Sequence, residues 1–216
     1  MSYIGSKPAN KPVVASDLDP TVITGQTALA TSPADTDEFL ISDAGVLKRL
    51  DASLIGGGKV LQVVSQQYTT PITVSGVTQT YKDAAISAAI TPSSTSSKVF
   101  AWFNLSVANT TSSGNRVRIK LVRDSTDIGI GTGSTGNRQA ATVSALYENN
   151  DQYETQTIPV MWLDTPSSTS ATTYKIQVCS NNNTSQNLFF NRGTGDVDNT
   201  DHVRTVSQVL LIEIGE

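Results

Sequence analysis

Val99-Phe100-Ala101-Trp102-Phe103-Asn104-Leu105-Ser106-Val107 decides the fold. Val99, Ala101, Phe103, Leu105 and Val107 occupy every second position, so an extended chain presents them all on one face. A helix would scatter them around its axis. Residues 116–122, Arg-Val-Arg-Ile-Lys-Leu-Val, repeat the pattern with charge on the second face. Val117, Ile119 and Leu121 face one way, and Arg116, Arg118 and Lys120 the other. This is a half-buried antiparallel strand.

Outward from these two strands the same rhythm continues. Further strands are expected at 60–65, 77–82, 84–90, 126–130, 141–147, 155–163, 173–179, 187–191 and 204–214. Clusters of Ser, Thr, Asn and Gly separate them, at 91–97, 110–114, 165–170 and 180–185. Ser and Asn favour turns through local side-chain hydrogen bonds, and Gly through its freedom at positive φ. Many short strands without an amphipathic helix predict a sandwich. Eight or more strands over residues 59–216 fit an antiparallel jelly roll.

The chain before this head differs. Pro8, Pro12, Pro20 and Pro33 punctuate residues 1–35 among small polar residues. Such a segment cannot bury enough apolar surface by itself. It is expected to be an extended arm, with room for one short helix near 17–23. Glu38-Phe-Leu-Ile-Ser-Asp-Ala-Gly-Val-Leu-Lys-Arg-Leu50 then reads as a hairpin with a three-residue loop, Asp43 to Gly45. A lone hairpin is marginal in water, so Phe39, Ile41, Val46 and Leu50 need a cover. Residues 51–55 read as a turn or helical stub, and Gly56-Gly57-Gly58 as a linker. The expected division is arm 1–35, hairpin collar and linker 36–58, and head 59–216. Three hairpins around a threefold axis would cover the apolar faces.

Composition removes many functions. The 216 residues carry a net charge of −4 and only 16% charged residues, and the pI is about 5.0. Nucleic-acid binding needs clustered Lys and Arg, so no nucleic-acid partner is expected. Residues 1–14 hold no apolar run, so no secretory signal is expected there. The longest apolar runs are far too short for membrane insertion. One cysteine, Cys179, and one histidine, His202, exclude an intrachain disulfide and most Cys- or His-based metal chemistry.

Four places carry residues that could do chemistry. Gly131-Thr-Gly133-Ser-Thr-Gly136 spells the dinucleotide fingerprint, with 126–130 as a strand before it and Glu154 at a workable distance. No βαβ alternation surrounds it, so it reads as a sheet-edge loop and no cofactor is expected. Asp196, Asp198 and Asp201 share a loop with Asn199 and Thr200, the hard oxygens calcium prefers. The loop lacks the EF-hand glycine and terminal glutamate, so it reads as solvated turns and no metal is assigned. His202 follows without any nucleophile motif, so no catalytic residue is assigned. Trp102 and Trp162 read as core or interface aromatics, and Cys179 as a small buried thiol. Asp35, Asp37 and Glu38 form an acidic cluster suited to solubility or to pairing with Lys48 and Arg49 of a neighbour.

Three stretches carry a resemblance. Ser2-Tyr-Ile-Gly-Ser-Lys-Pro-Ala-Asn-Lys-Pro-Val13 is similar to the start of tail-fibre and other appendage proteins of tailed bacteriophages. Residues 37–51 resemble an element that recurs in phage fibre shafts. Residues 90–99, 122–129, 163–178 and 204–214 resemble the terminal β-sandwich domain of phage virion proteins. The resemblance implies a non-enzymatic structural protein of the virion, assembled in the bacterial host cytoplasm. It implies a homotrimeric tail-fibre subunit whose arm, through Tyr3, Ile4 and Val13, anchors it to tail, adaptor or capsid proteins. Phe39, Ile41, Val46 and Leu50 would form the trimer interface. A host surface glycan or protein is the candidate outer partner. The alternatives are a capsid-decorating or head-fibre protein and, further off, a glycan depolymerase, which would need paired carboxylates in a cleft.

Overall fold

The computed structural model describes residues 25, 27, 29, 31, 33, 34, 36–55, 60–109, 115–133, 136–147 and 152–215. The chain divides into two units, Met1–Gly57 and Gly58–Glu216. The possible helix at 17–23 and the anchoring residues Tyr3, Ile4 and Val13 lie outside the described residues. No helix among the described residues is long and apolar enough to cross a membrane.

In the first unit, β1 (Glu38–Asp43) pairs antiparallel with β2 (Val46–Asp51), followed by a single 3-10 turn, Ala52–Leu54. The loop differs from the three-residue expectation. Asp43 pairs with Val46, leaving Ala44 and Gly45 as a two-residue turn, with φ of 49° and 82°. Two positive φ values make a type I′ turn, whose twist matches that of the flanking strands. Gly45 adopts this freely, whereas the Ala44 side chain is strained there by about 1 kcal/mol. Ala44→Asn should therefore slow amide exchange across β1 and β2 by about two- to fivefold, since Asn-Gly is the preferred pair for this turn. The hairpin also pairs its own charges: Arg49 meets Glu38 at 2.8 Å and Lys48 binds Asp43. Lys48 and Arg49 are thus each paired within the hairpin.

The second unit contains β3 (Val60–Tyr68), β4 (Ile72–Val77), β5 (Lys82–Ile90), β6 (Lys98–Asn109), β7 (Asn115–Arg123), β8 (Thr126–Ile128), β9 (Val143–Tyr147), β10 (Gln156–Asp164), β11 (Thr172–Ser180), β12 (Gln186–Phe190) and β13 (Ser207–Ile214). Their pairing reduces these eleven pieces to eight strand positions. Phe103 of β6 pairs with Val209 on one side and Val160 on the other. Val107 pairs with Phe190 and Gln156. Hence β12 and β13 lie end to end on one side of β6, with β10 on the other. β4 pairs with β12 and β3 with β13, so they too form one interrupted strand. β8 and β9 likewise line up along β7, opposite β11.

Numbered along the chain, the eight positions give sheets of order 1-8-3-6 and 2-7-4-5, all antiparallel. This is a jelly roll: two four-stranded sheets joined by Greek-key connections. The core lies between them. Val99, Ala101, Phe103, Leu105 and Val107 of β6 are fully buried against Val117, Ile119 and Leu121 of β7 and Tyr174, Ile176 and Val178 of β11. Period-two alternation and burial coincide there, as the sequence predicted.

Two polar anchors sit inside this apolar frame. Asp164, at the end of β10, accepts hydrogen bonds from Arg123 Nη1 of β7 (2.8 and 3.1 Å) and from the Tyr174 hydroxyl of β11 (2.7 Å). Burial and the bond to Asp164 hold the Tyr174 hydroxyl well above its usual range. Glu213 of β13 is 1% exposed. Its carboxylate accepts from the Ser93 amide and hydroxyl, both at 2.6 Å. Burial pushes Glu213 up, but these bonds together outweigh it and hold the group below its ordinary value of 4.5. A folded-state value below the unfolded one adds stability above the unfolded pKa and loses it as pH falls through the folded one. Stability should therefore decline as pH drops below 4.5, and Glu213→Gln should flatten that part of a denaturant-midpoint profile.

Candidate functional site

The acidic loop belongs to an excursion, residues 191–206, that interrupts the strand shared by β12 and β13. Asp196 is engaged by arginine: Arg204 Nη2 at 2.6 Å and Arg192 Nη1 at 3.7 Å. Asn199 Oδ1 accepts from the amides of Asp201 and His202, closing a turn. Asp198 and Asp201 point to solvent. A cleft of about 350 Å³ lies between these residues and His202, but no trio of Asp, Glu, His or Cys among the described residues is placed to hold a metal. His202 packs edge-on against Tyr153, ring centroids 4.8 Å apart. Its Nδ1 is buried without a hydrogen-bond partner among the described residues.

The glycine-rich stretch lies in a second excursion, residues 129–142, between β8 and β9. β8 precedes it as a strand, but turns and then β9 follow it, with no helix N-terminus to receive a pyrophosphate. Gly131, Gly133, Arg138 and Thr142 line an open cleft of about 290 Å³. Beside it Cys179 is fully buried, its Sγ 3.1 Å from Gln139 Oε1. Burial raises the thiol above its usual range, which suppresses thiolate chemistry.

Neither tryptophan is a buried core residue, which leaves the interface half of the core-or-interface reading. Trp102 lies on the outer face of its sheet and is 38% exposed. The cause is parity: Ala101 and Phe103 point inward, so Trp102 must point outward. Trp162 pairs opposite Ala101 on the edge strand β10. Its ring lies against Gly129, so close that a Cβ there would fall 2.8 Å from Cδ2. Gly129 also has a φ of 59°, and a side chain there would meet both obstacles. Trp162 therefore covers the sandwich flank while staying 44% exposed.

What remains are two apolar surfaces. The first is the hairpin face. Phe39 pairs with Leu50, and Ile41 and Val46 occupy positions of the same parity, so all four named residues share one face. Phe39 and Val46 are 40% and 58% exposed. The second is the outer face of the sheet formed by β3, β13, β6 and β10. Register places Val63, Ile212, Phe100 and Leu163 in one row across all four strands. The next row runs Ser65, Leu210, Trp102, Met161. The 191–206 excursion touches the far end of this face: Thr205 Oγ1 donates to Ser106 Oγ at 2.7 Å. Ser106 and Ala108, outward by parity, are 5% and 0% exposed. The half around Trp102 has no such cover. Sequence reading missed this second face, although the runs 99–103 and 209–212 carry its signal. A strand apolar at consecutive positions has both faces to bury.

The fold thus defines the chain as an all-β protein with a jelly-roll sandwich, an assignment that rests on strand order alone. No family model matches the chain, and no curated protein matches it. Among solved structures it is similar to the infectious bursal disease virus VP2 subviral particle, with a TM-score of 0.38, 12% identity, and coverage of 80% of this chain and 40% of that one. It is similar also to the T=1 particles derived from infectious bursal virus (TM-score 0.38, 12% identity, 80% and 39% covered). A third similar structure is that of the infectious bursal disease virus Gx strain (0.34, 12%, 79% and 40%). The chain spans about 40% of the length of these structures.

Proposed function

We propose that the chain is a structural subunit of a tailed-phage virion, a homotrimeric tail-fibre-type appendage. In this reading residues 1–35 dock on other virion proteins through Tyr3, Ile4 and Val13. The hairpins pack around a threefold axis, and the jelly-roll head projects toward a host surface glycan or protein. The observation that carries the reading is the hairpin's uncovered apolar face, which also holds the Lys48–Asp43 ion pair. A two-stranded ribbon with Phe39, Ile41, Val46 and Leu50 on one face, and Leu40 exposed on the other, has neither the third strand nor the packing partner that an independently stable sheet needs. Copies of the same ribbon supply that partner, and a closed ring covers the face of Phe39, Ile41, Val46 and Leu50.

Light scattering on the full chain tests assembly: the expected mass is three times 22.9 kDa. A monomer at micromolar concentration would overturn the reading. Labelled protein seen on the tail of particles supports the fibre role. Labels on the capsid shell would replace it with the decorating role. Release of fragments from host polysaccharide would replace both with a depolymerase.

A further inference from the structure

The bare half of the head's outer sheet face is sized and composed as a protein interface. Its exposed side chains include Val63 (56%), Trp102 (38%), Met161 (53%) and Leu163 (50%), with Val60 (56%) and Leu61 (52%) at its near end. Together they expose on the order of 600 Å², the upper end for the largest apolar patch of a monomer. A standard interface buries about 800 Å² per partner, so this patch with its polar border suffices for one side of a stable contact. Composition agrees. The two complete register rows contain no charged residue, and Lys98, opposite Ile214, sits at the border. Gln208 and Asn104 supply the polar edge. A charge-depleted centre holding Trp and Met within a polar rim is the anatomy of an interface core. The excursion that meets Ser106 at the far end stops short of the rows around Trp102, so the chain's own described residues leave this half uncovered.

We infer that this face binds a second copy of the same chain, and that the heads pack face to face around the axis set by the hairpins. The inference rests on the trimeric reading above. Chain length selects the occupant. Only residues 56–59 separate Ile55 from Val60, a reach of at most roughly 15–18 Å at full extension. If three hairpins share an axis, the Val60 end of each head's sheet is tethered close to that axis. The apolar half of the outer face begins at that tethered end, with Val60, Leu61 and Val63. Neighbouring heads are therefore held at high effective concentration with this face available to one another.

The test uses the full chain carrying Ser65→Cys, an outward position in the row that contains Trp102. Cys179 is buried and adds no competing fast reaction. Maleimide labelling of residue 65 is followed alongside mass by light scattering over a range of protein concentration. The expected result is labelling at least tenfold slower in the oligomer than after dilution to monomer. Met161→Ser with Leu163→Ser should abolish that protection and shift the dissociation midpoint at least tenfold upward. Both positions are exposed on an edge strand, so the substitution leaves the core intact. An oligomer whose residue 65 labels at the monomer rate overturns the face assignment while leaving the hairpin trimer standing. Monomeric mass at every concentration overturns the trimer itself. Protection that is independent of concentration, and lost on removing residues 1–35, also overturns the inference, because the arm is then the occupant.

Discussion

Asp164→Ala should lower the unfolding free energy by about 3 kcal/mol, the lower end for removing one partner of a buried ion pair. The size follows from what the carboxylate holds. Its side chain is 8% exposed, and that of Arg123 is 23% exposed. Arg123 comes from β7 and Tyr174 from β11, in one sheet, while Asp164 ends β10 in the other. The group therefore ties the two sheets together through side-chain hydrogen bonds as well as packing. Alanine leaves a guanidinium with one carbonyl partner, Thr165 O at 3.2 Å, and a fully buried phenol without its acceptor. An unsatisfied buried polar group costs about 1–3 kcal/mol, more when charged. Tyr174→Phe removes one bond without stranding a charge, and should cost about 1 kcal/mol. Replacing Arg123 by Met and Asp164 by Leu together should recover most of the loss, because the penalty lies in the orphaned partner. Guanidinium denaturation of the wild type, Arg123→Met, Asp164→Leu and the double variant, read as a double-mutant cycle, gives the coupling. A loss below 1 kcal/mol for the single Asp164 variant would show that water already satisfies Arg123.

The head was legible in the sequence because alternation and burial are the same physical fact. β6, β7 and β11 bury one face each, and their apolar residues recur at period two. The sandwich and the stub at 52–54 followed from that and from turn chemistry. Three things did not. The two excursions are interruptions of strands whose two halves pair with the same neighbour. That relation is long-range, and nothing local in residues 129–142 or 191–206 encodes it. The hairpin loop came out one residue shorter because a type I′ turn admits Ala44 at a strained φ when strand twist demands it. Trp102 read as a core or interface aromatic, with no face assigned to it. Its parity with Phe100 already placed it outside, and two-sided hydrophobicity at 99–103 was the signal that the outside also needs cover. The candidate interfaces were thus half visible. Phe39, Ile41, Val46 and Leu50 emerged from a local pattern, whereas the sheet face required the register of four strands that are distant in sequence.

Asn191→Ala should destabilise the head by about 3–4 kcal/mol, summing three lost bonds at about 1 kcal/mol each and a backbone penalty. Asn191 stands where β12 ends and the 191–206 excursion leaves the sheet. It is fully buried. Its Nδ2 donates to the carbonyls of Tyr68 (2.8 Å) and Thr70 (2.9 Å), at the break between β3 and β4. Its Oδ1 accepts from Ser207 Oγ at 2.6 Å, and Ser207 Oγ in turn accepts from the Ser106 amide at 3.0 Å. One side chain therefore satisfies both interrupted strands at the point where ladder bonds are missing. Its φ is 66°, a region that Asn tolerates and Ala resists. Two further variants separate the contributions. Asn191→Gly removes the bonds but adopts the backbone freely, so it should cost about 1 kcal/mol less than Ala. Asn191→Asp keeps the acceptor for Ser207 but sets a buried negative charge against two carbonyl oxygens, and should be at least as damaging as Ala at neutral pH. Denaturant midpoints ranked Gly above Ala and Asp are the expected outcome. Equal losses for Gly and Ala would mean that the left-handed backbone contributes nothing. A loss under 1 kcal/mol for Ala would mean that the excursion is pinned elsewhere, with Thr205 and Ser106 the remaining contact to examine.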